Sequence, residues 1–76
     1  MHRHSIAAVL RKLSPEQEKL IRLYFGLGCA RPHSTEEMAE EFGVSAQTIA
    51  ALLETAQQQL AREGLNPDDL RKAAGQ

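Results

Sequence analysis

The chain has 76 residues and a mass of 8.4 kDa, enough for one small domain and too little for a second core. A hydrophobic fraction of 42% beside 25% charged residues is that of a folding chain and excludes wholesale disorder. Nine basic side chains against ten acidic ones leave a formal net charge of −1, which is not the charge of a strongly basic nucleic-acid binder.

A lone cysteine, Cys29, rules out an internal disulfide, and no charged segment followed by an apolar run and a small-residue cleavage site opens the chain. A cytoplasmic protein is expected. The longest uncharged stretch, Gly43 to Leu53, is only about half a bilayer span and is interrupted by Ser45, Gln47 and Thr48, so no membrane association is expected. His2 and His4 flank Arg3, but a zinc site would need two more ligands from His33, Cys29 or scattered carboxylates. That spacing fits no site pattern, and neither a metal nor a cofactor is expected.

In chain order, Ser5 to Leu13 carries Ile6, Val9, Leu10 and Leu13, a spacing of three and four that makes one face of a short helix. Ser14-Pro15-Glu16-Gln17 combines an N-cap serine, proline at the first helical position and glutamine at the third, a capping box. The second helix that starts there presents Leu20, Ile21, Leu23, Tyr24 and Phe25, and Gly26 with Gly28 stops it. Gly28, Cys29 and Pro32 are loop chemistry. Ser34-Thr35-Glu36-Glu37 then repeats the capping box for a short third helix, with Met38, Ala39 and Phe42 inward and Gly43 at its end.

Ser45 caps a fourth helix reaching about Arg62, with a core stripe of Ile49, Leu52, Ala56 and Leu60. Asn66-Pro67-Asp68-Asp69 begins a short terminal helix over about 67–73. No strand pattern occurs. The expected fold is all-α: four to five short helices with a helix-turn-helix, in a single domain over 1–76 whose core is about 6–62. Ala39, Gly43 and Ile49 supply the small contact residue, the turn glycine and the branched filler that two steeply crossing helices need. On spacing alone, a helix pair with no nucleic-acid role remains open.

Leu13-Ser14-Pro15-Glu16-Gln17-Glu18-Lys19, Leu23-Tyr24-Phe25-Gly26-Leu27, Arg31-Pro32, Glu36-Glu37 and Glu41-Phe42-Gly43-Val44-Ser45 resemble, in order and nearly without gaps, the fourth region of bacterial primary sigma factors. The resemblance covers about Ile6 to Leu60. It implies two surfaces. One is an apolar groove on the first two helices that grips the flap-tip helix of the RNA polymerase β subunit, drawing here on Ile6, Val9, Leu10, Leu20, Leu23, Tyr24 and Phe25. Most of these also serve as core, which leaves the two or three least buried to make the contact. The other is a recognition helix that reads the upstream promoter element in the major groove.

The recognition helix departs from that pattern. Major-groove readers carry cations and bidentate donors on the exposed side, yet Ser45 to Leu60 holds no basic residue and Glu54 is its only charge. Ala46, Gln47 and Ala51 stand where the family's base-reading arginine, glutamate and glutamine are found. Thr48, Ala50, Thr55, Gln58 and Gln59 occupy further contact positions. Losing about five contacts at ~1 kcal/mol or more each leaves little specific affinity at physiological salt. Arg31 and His33 in the loop are the remaining candidate phosphate contacts.

Ala46, Ala50, Leu53 and Gln57 form a second stripe beside the core stripe. The expected outward face is therefore Ala46, Gln47, Ala50, Ala51, Leu53, Glu54 and Gln57, for DNA or for a protein such as a second copy of the chain or a polymerase subunit. The leading expectation is a transcription protein that engages the polymerase β flap with weakened or absent promoter reading, duplex DNA being bound weakly or only within a complex. The alternatives are a DNA-binding helix-turn-helix regulator and a protein–protein assembly module. No phosphate loop, activated nucleophile or metal cluster suggests an enzyme.

Overall fold

Short polar side chains decide where the helices of this chain begin. In the computed structural model, which describes residues 6–74, the order is α1 (Ile6–Leu10), α2 (Pro15–Phe25), α3 (Thr35–Phe42), α4 (Ala46–Arg62) and α5 (Pro67–Ala74). The His2-Arg3-His4 cluster and Ser5 lie outside the described residues. Ser14 Oγ accepts from the Gln17 amide while the Gln17 side chain accepts from the Ser14 amide, and Ser34 with Glu37 does the same for α3. Ser45 Oγ accepts from the Thr48 amide. Asn66 and Asp69 exchange the equivalent bonds, at 2.9 and 3.0 Å, ahead of Pro67. Each cap satisfies amides that would otherwise lack a partner.

The first helix is shorter than its apolar spacing predicts. Beyond Leu10 the chain tightens into three-residue turns, Lys12 N–H to Val9 and Leu13 N–H to Leu10, both at 3.0 Å. Ser14 is extended, with ψ of 157°, because a residue before proline is pushed out of the helical region. Leu13 is still delivered to the core.

The core runs through every helix: Val9, Leu10, Leu13, Leu20, Ile21, Phe25, Leu27, Met38, Ile49, Leu53, Ala56, Leu60, Leu65 and Leu70. Each large side chain in this set contributes about 1.5–3 kcal/mol relative to exposure. No polar side chain is buried among the described residues. α4 packs on α3 and α2, α3 also meets α2, and α5 packs on α2. Between α3 and α4, Gly43 takes a φ of 72° while its amide and that of Val44 both donate to the Ala39 carbonyl, at 2.9 and 3.1 Å. These two hydrogen bonds accepted by one carbonyl end α3 tightly, and the extended Ser45 starts α4. The helix-turn-helix is thus present with Ala39, Gly43 and Ile49 in their expected places.

The roll of α4 differs from expectation. Its buried stripe is Ile49, Leu53, Ala56 and Leu60, with Leu53 5% exposed, whereas Leu52 is 37% exposed. At 3.6 residues per turn, Leu52 and Leu53 lie about 60° and about 40° on opposite sides of the mean direction of the other three, so periodicity barely separates them. Ala46 and Gln57, which share the side of α4 that carries Leu53, are half-buried, while Ala50 is exposed. α4 is rolled toward that side by its packing on α2 and α3.

Candidate nucleic-acid and partner interfaces

The outward arc of α4 is built from Gln47, Ala50, Ala51, Glu54, Thr55 and Gln58, all exposed. No cation occurs on the helix before Arg62. The Thr55 hydroxyl donates back to the Ala51 carbonyl at 3.1 Å, and the Ser45 and Thr48 hydroxyls, 2.9 Å apart, bond one another. These polar groups are partly spent on the helix itself. Of the residues assigned from the sequence to the outward face, Leu53 is corrected to the core, and Ala46 and Gln57 are half-buried. Leu52 and Val44, 37% and 40% exposed, are the large apolar side chains left at the surface among the described residues.

The loop between α2 and α3 folds back on α2. Gly26 ends α2 with a φ of 78°, and its amide and that of Leu27 both donate to the Arg22 carbonyl. A Cβ at Gly26 would stand 3.0 Å from the Pro32 nitrogen, so both its conformation and the close crossing of the chain require glycine. The His33 amide donates to the Leu23 carbonyl at 2.9 Å, and His33 Nδ1 lies 3.2 Å from the same oxygen. The Cys29 thiol sits 3.7 Å from the Leu27 carbonyl and 3.9 Å from that of Arg22.

Arg31 is held by Glu37. Its two terminal nitrogens donate to the two carboxylate oxygens at 3.1 and 2.6 Å, and one of them also donates to the Pro32 carbonyl at 3.0 Å. The bonds from Arg31, followed by the Ser34 amide, bring the Glu37 carboxyl down to about 2, and the same pairing raises the Arg31 guanidinium. Both candidate phosphate contacts therefore have partners within the fold. Arg31 would have to leave Glu37 to reach a phosphate, while His33 keeps Nε2 for a ligand. The pairing was hard to read from sequence because Glu37 looked occupied by its capping role. Here one carboxylate serves both.

On the first two helices, Val9, Leu10, Leu20 and Phe25 are buried. Ile6, Leu23 and Tyr24 are half-buried and pack against the core from its edge. Leu23 borders an open depression of about 460 Å³ whose walls also include Pro15, Lys19, Arg22, Leu27 and Cys29. Arg22 there is paired with Glu18 at 2.9 Å. Pro15, Lys19 and Arg22 recur at helical spacing, which is the signal by which this outer wall could have been found. Among the described residues no cluster of three or more histidine, cysteine or acidic side chains is arranged to hold a metal ion. No described helix is long and apolar enough to cross a membrane.

Five helices closed on one core among the described residues, four of them with an N-terminal cap and α3 and α4 joined through Gly43, define a helix-turn-helix domain. A family model of sigma-70, region 4, matches residues 9–62. The chain belongs to that family and so to the proteins of transcription. It is 37% identical over 49 residues to the RNA polymerase sigma factor SigA of Clostridium acetobutylicum, an overlap that covers 64% of this chain and 13% of the sigma factor. The chain thus spans a small fraction of that relative's length. No solved structure matches it.

Proposed function

We propose that this chain is a region-four module that docks on RNA polymerase through the apolar side chains of its first two helices and does not read promoter DNA by itself. The observation that carries the reading is the outward arc of α4, which offers Gln47, Ala50, Ala51, Glu54 and Gln58 and no cation. Without lysine or arginine there is little counterion release to drive phosphate binding. The glutamines and Glu54 can still hydrogen-bond a base edge, but neither Ala50 nor Ala51 can. Glu36 and Glu40, exposed on α3, add a negative field near any approaching duplex.

The surface implied by the family resemblance keeps its apolar character. Ile6, Leu23 and Tyr24 are the members that remain partly open, and Leu23 borders an open depression. An amphipathic helix laid against them, as the flap tip of the polymerase β subunit would be, buries its apolar face in a groove. Docked there, the chain competes with or substitutes for the fourth region of a sigma factor and acts without catalysis. Duplex DNA enters only where a complex supplies the missing charge.

The test is a calorimetric and chemical-shift titration of the 76-residue chain against the isolated flap-tip helix, with a labelled promoter duplex titrated in parallel at low salt. Micromolar peptide binding mapped to Ile6, Leu23 and Tyr24, with no duplex retained, is the expected result. Duplex binding with steep salt dependence and no peptide binding would overturn the proposal in favour of a DNA-reading regulator.

A further inference from the structure

Where α5 lies on α2 the packing is incomplete. Leu70 enters the core at 1% exposure, but Ala73 and Ala74 after it only border the core. An open hollow of about 300 Å³ remains between Arg71 and Ala74 on one side and Phe25, Gly26, Cys29 and Pro32 on the other. Small residues leave this space. Gly26 has no side chain, and a Cβ there would stand 3.0 Å from the Pro32 nitrogen, while Ala30 and Ala74 add only a methyl each to the wall.

The charge of the hollow is one-sided. Arg31 from the α2–α3 loop and Arg71 from α5 both line it, and among the described residues no carboxylate does. By contrast, Glu18 stands in the wall of the depression beside Leu23, and Glu63 in that of the cleft between α1 and α4. Arg71 leans toward the Phe25 ring, its guanidinium carbon 5.9 Å from the ring centre, and gives one nitrogen to Asp68 at 2.9 Å. The Asp68 side chain is 80% exposed, so that pair is solvent-screened and weak, and Nε and Nη2 of Arg71 are left as donors. Arg31 can trade Glu37 for another anion without losing a charged partner, because Glu37 keeps the Ser34 amide.

We propose that this hollow binds a small organic anion that joins a flat apolar ring to one phosphate or carboxylate group, the ring against Phe25 and Pro32 and the anion between Arg71 and Arg31. A cavity of about 150 Å³ accepts a benzene ring, so about 300 Å³ has room for a ring and its charged group. Guanidinium suits either anion, because its planar fork meets their oxygens in pairs. Bound there, the ligand links α5 to the α2–α3 loop and holds α5 down. The site is independent of the polymerase-docking reading: among the described residues, Cys29 is the one it shares with the depression that Leu23 borders.

Phenyl phosphate, inorganic phosphate and phenol are titrated separately into the full chain and followed by chemical shift. The expected result is that phenyl phosphate binds about tenfold or more tighter than either of its parts, with shifts at Phe25, Cys29, Ala30 and Ala74. At saturation it should also slow the hydrogen exchange of residues 67–74, since a ligand stabilises the form that binds it. Arg71→Gln removes the anchoring charge and Ala74→Phe fills the space; each should weaken binding about tenfold or more, whereas Arg62→Gln, at an exposed cation outside the hollow, should leave it unchanged. The readings on the unaltered chain stand even if a variant fails to fold. Inorganic phosphate binding as tightly as phenyl phosphate, or equal affinity in Arg71→Gln, would overturn the proposal in favour of loose ion pairing at the surface. No shift in the hollow with either anion would overturn it outright.

Discussion

The guanidinium of Arg31 grips both carboxylate oxygens of Glu37, and the same carboxylate closes the cap of α3 through the Ser34 amide, 2.9 Å away. One side chain thus ties the α2–α3 loop to the first turn of the helix-turn-helix. Glu37 is held at about 2 in the fold, below its unfolded value of about 4.3. A depressed folded value means that the contribution is complete above the unfolded value and is lost as pH falls from there toward the folded one.

Glu37→Gln isolates this term, because Gln17 shows that glutamine closes the same capping box on α2. Thermal melts followed by circular dichroism should show a smaller loss of stability for the variant than for the parent as pH falls from about 4.3 toward 2. Parallel curves for the two proteins would show that the pair contributes nothing, which is the common outcome for solvent-screened pairs.

Gly26 and Gly43 both have positive φ, but only Gly26 has another stretch of chain against its α-carbon. Gly43→Ala should cost about 1–2 kcal/mol, the penalty for a side chain in the left-handed region. Gly26→Ala should cost more, because the Pro32 backbone must also move. Chemical denaturation of the two variants ranks them, and equal midpoints would show that the loop yields freely.

Leu53 and Leu52 are adjacent and opposite in burial. Leu53→Ala is expected to destabilise by about 2–4 kcal/mol, within the range for buried leucine truncation. Leu52→Ala should stay within about 1 kcal/mol, as surface changes do. A reversal of that order in denaturant titration would mean that α4 is rolled the other way.

Cations placed at Gln47, Ala50 and Ala51 should restore phosphate contact if the fold is otherwise competent. With Gln47→Arg, Ala50→Arg and Ala51→Arg together, duplex binding should appear with a log–log salt slope of about −0.9 for each phosphate engaged. Binding that stays absent at low salt would place the obstacle in the shape of the domain instead of its charge.

Much of the fold could be read along the chain because local chemistry fixes it. Ser14, Ser34, Ser45 and Pro67 each mark a helix start that needs no distant partner. What escaped were features decided by neighbours far along the chain. Leu27, Leu65 and Leu70 sit in loops or at a terminal helix, where no periodic stripe announces a core residue. Leu52 and Leu53 are nearly equivalent by periodicity, and only the packing of α4 on α2 and α3 separates them. The candidate interfaces followed the same division. The lack of cations on α4 is visible in the residues themselves, whereas the capture of Arg31 by Glu37 and the cover of α5 over Phe25 required the loop and the chain end to be placed.

On α4 the residues that hold the helix in place are Ser45, Ile49, Leu53, Ala56 and Leu60, and those that face outward are a separate set. Gln47, Ala50, Ala51, Glu54 and Gln58 can therefore be rewritten together without touching a core contact. The helix is a blank page bound into a finished book: new specificities, for a base sequence or for a protein groove, can be selected on it while the other four helices stay as they are.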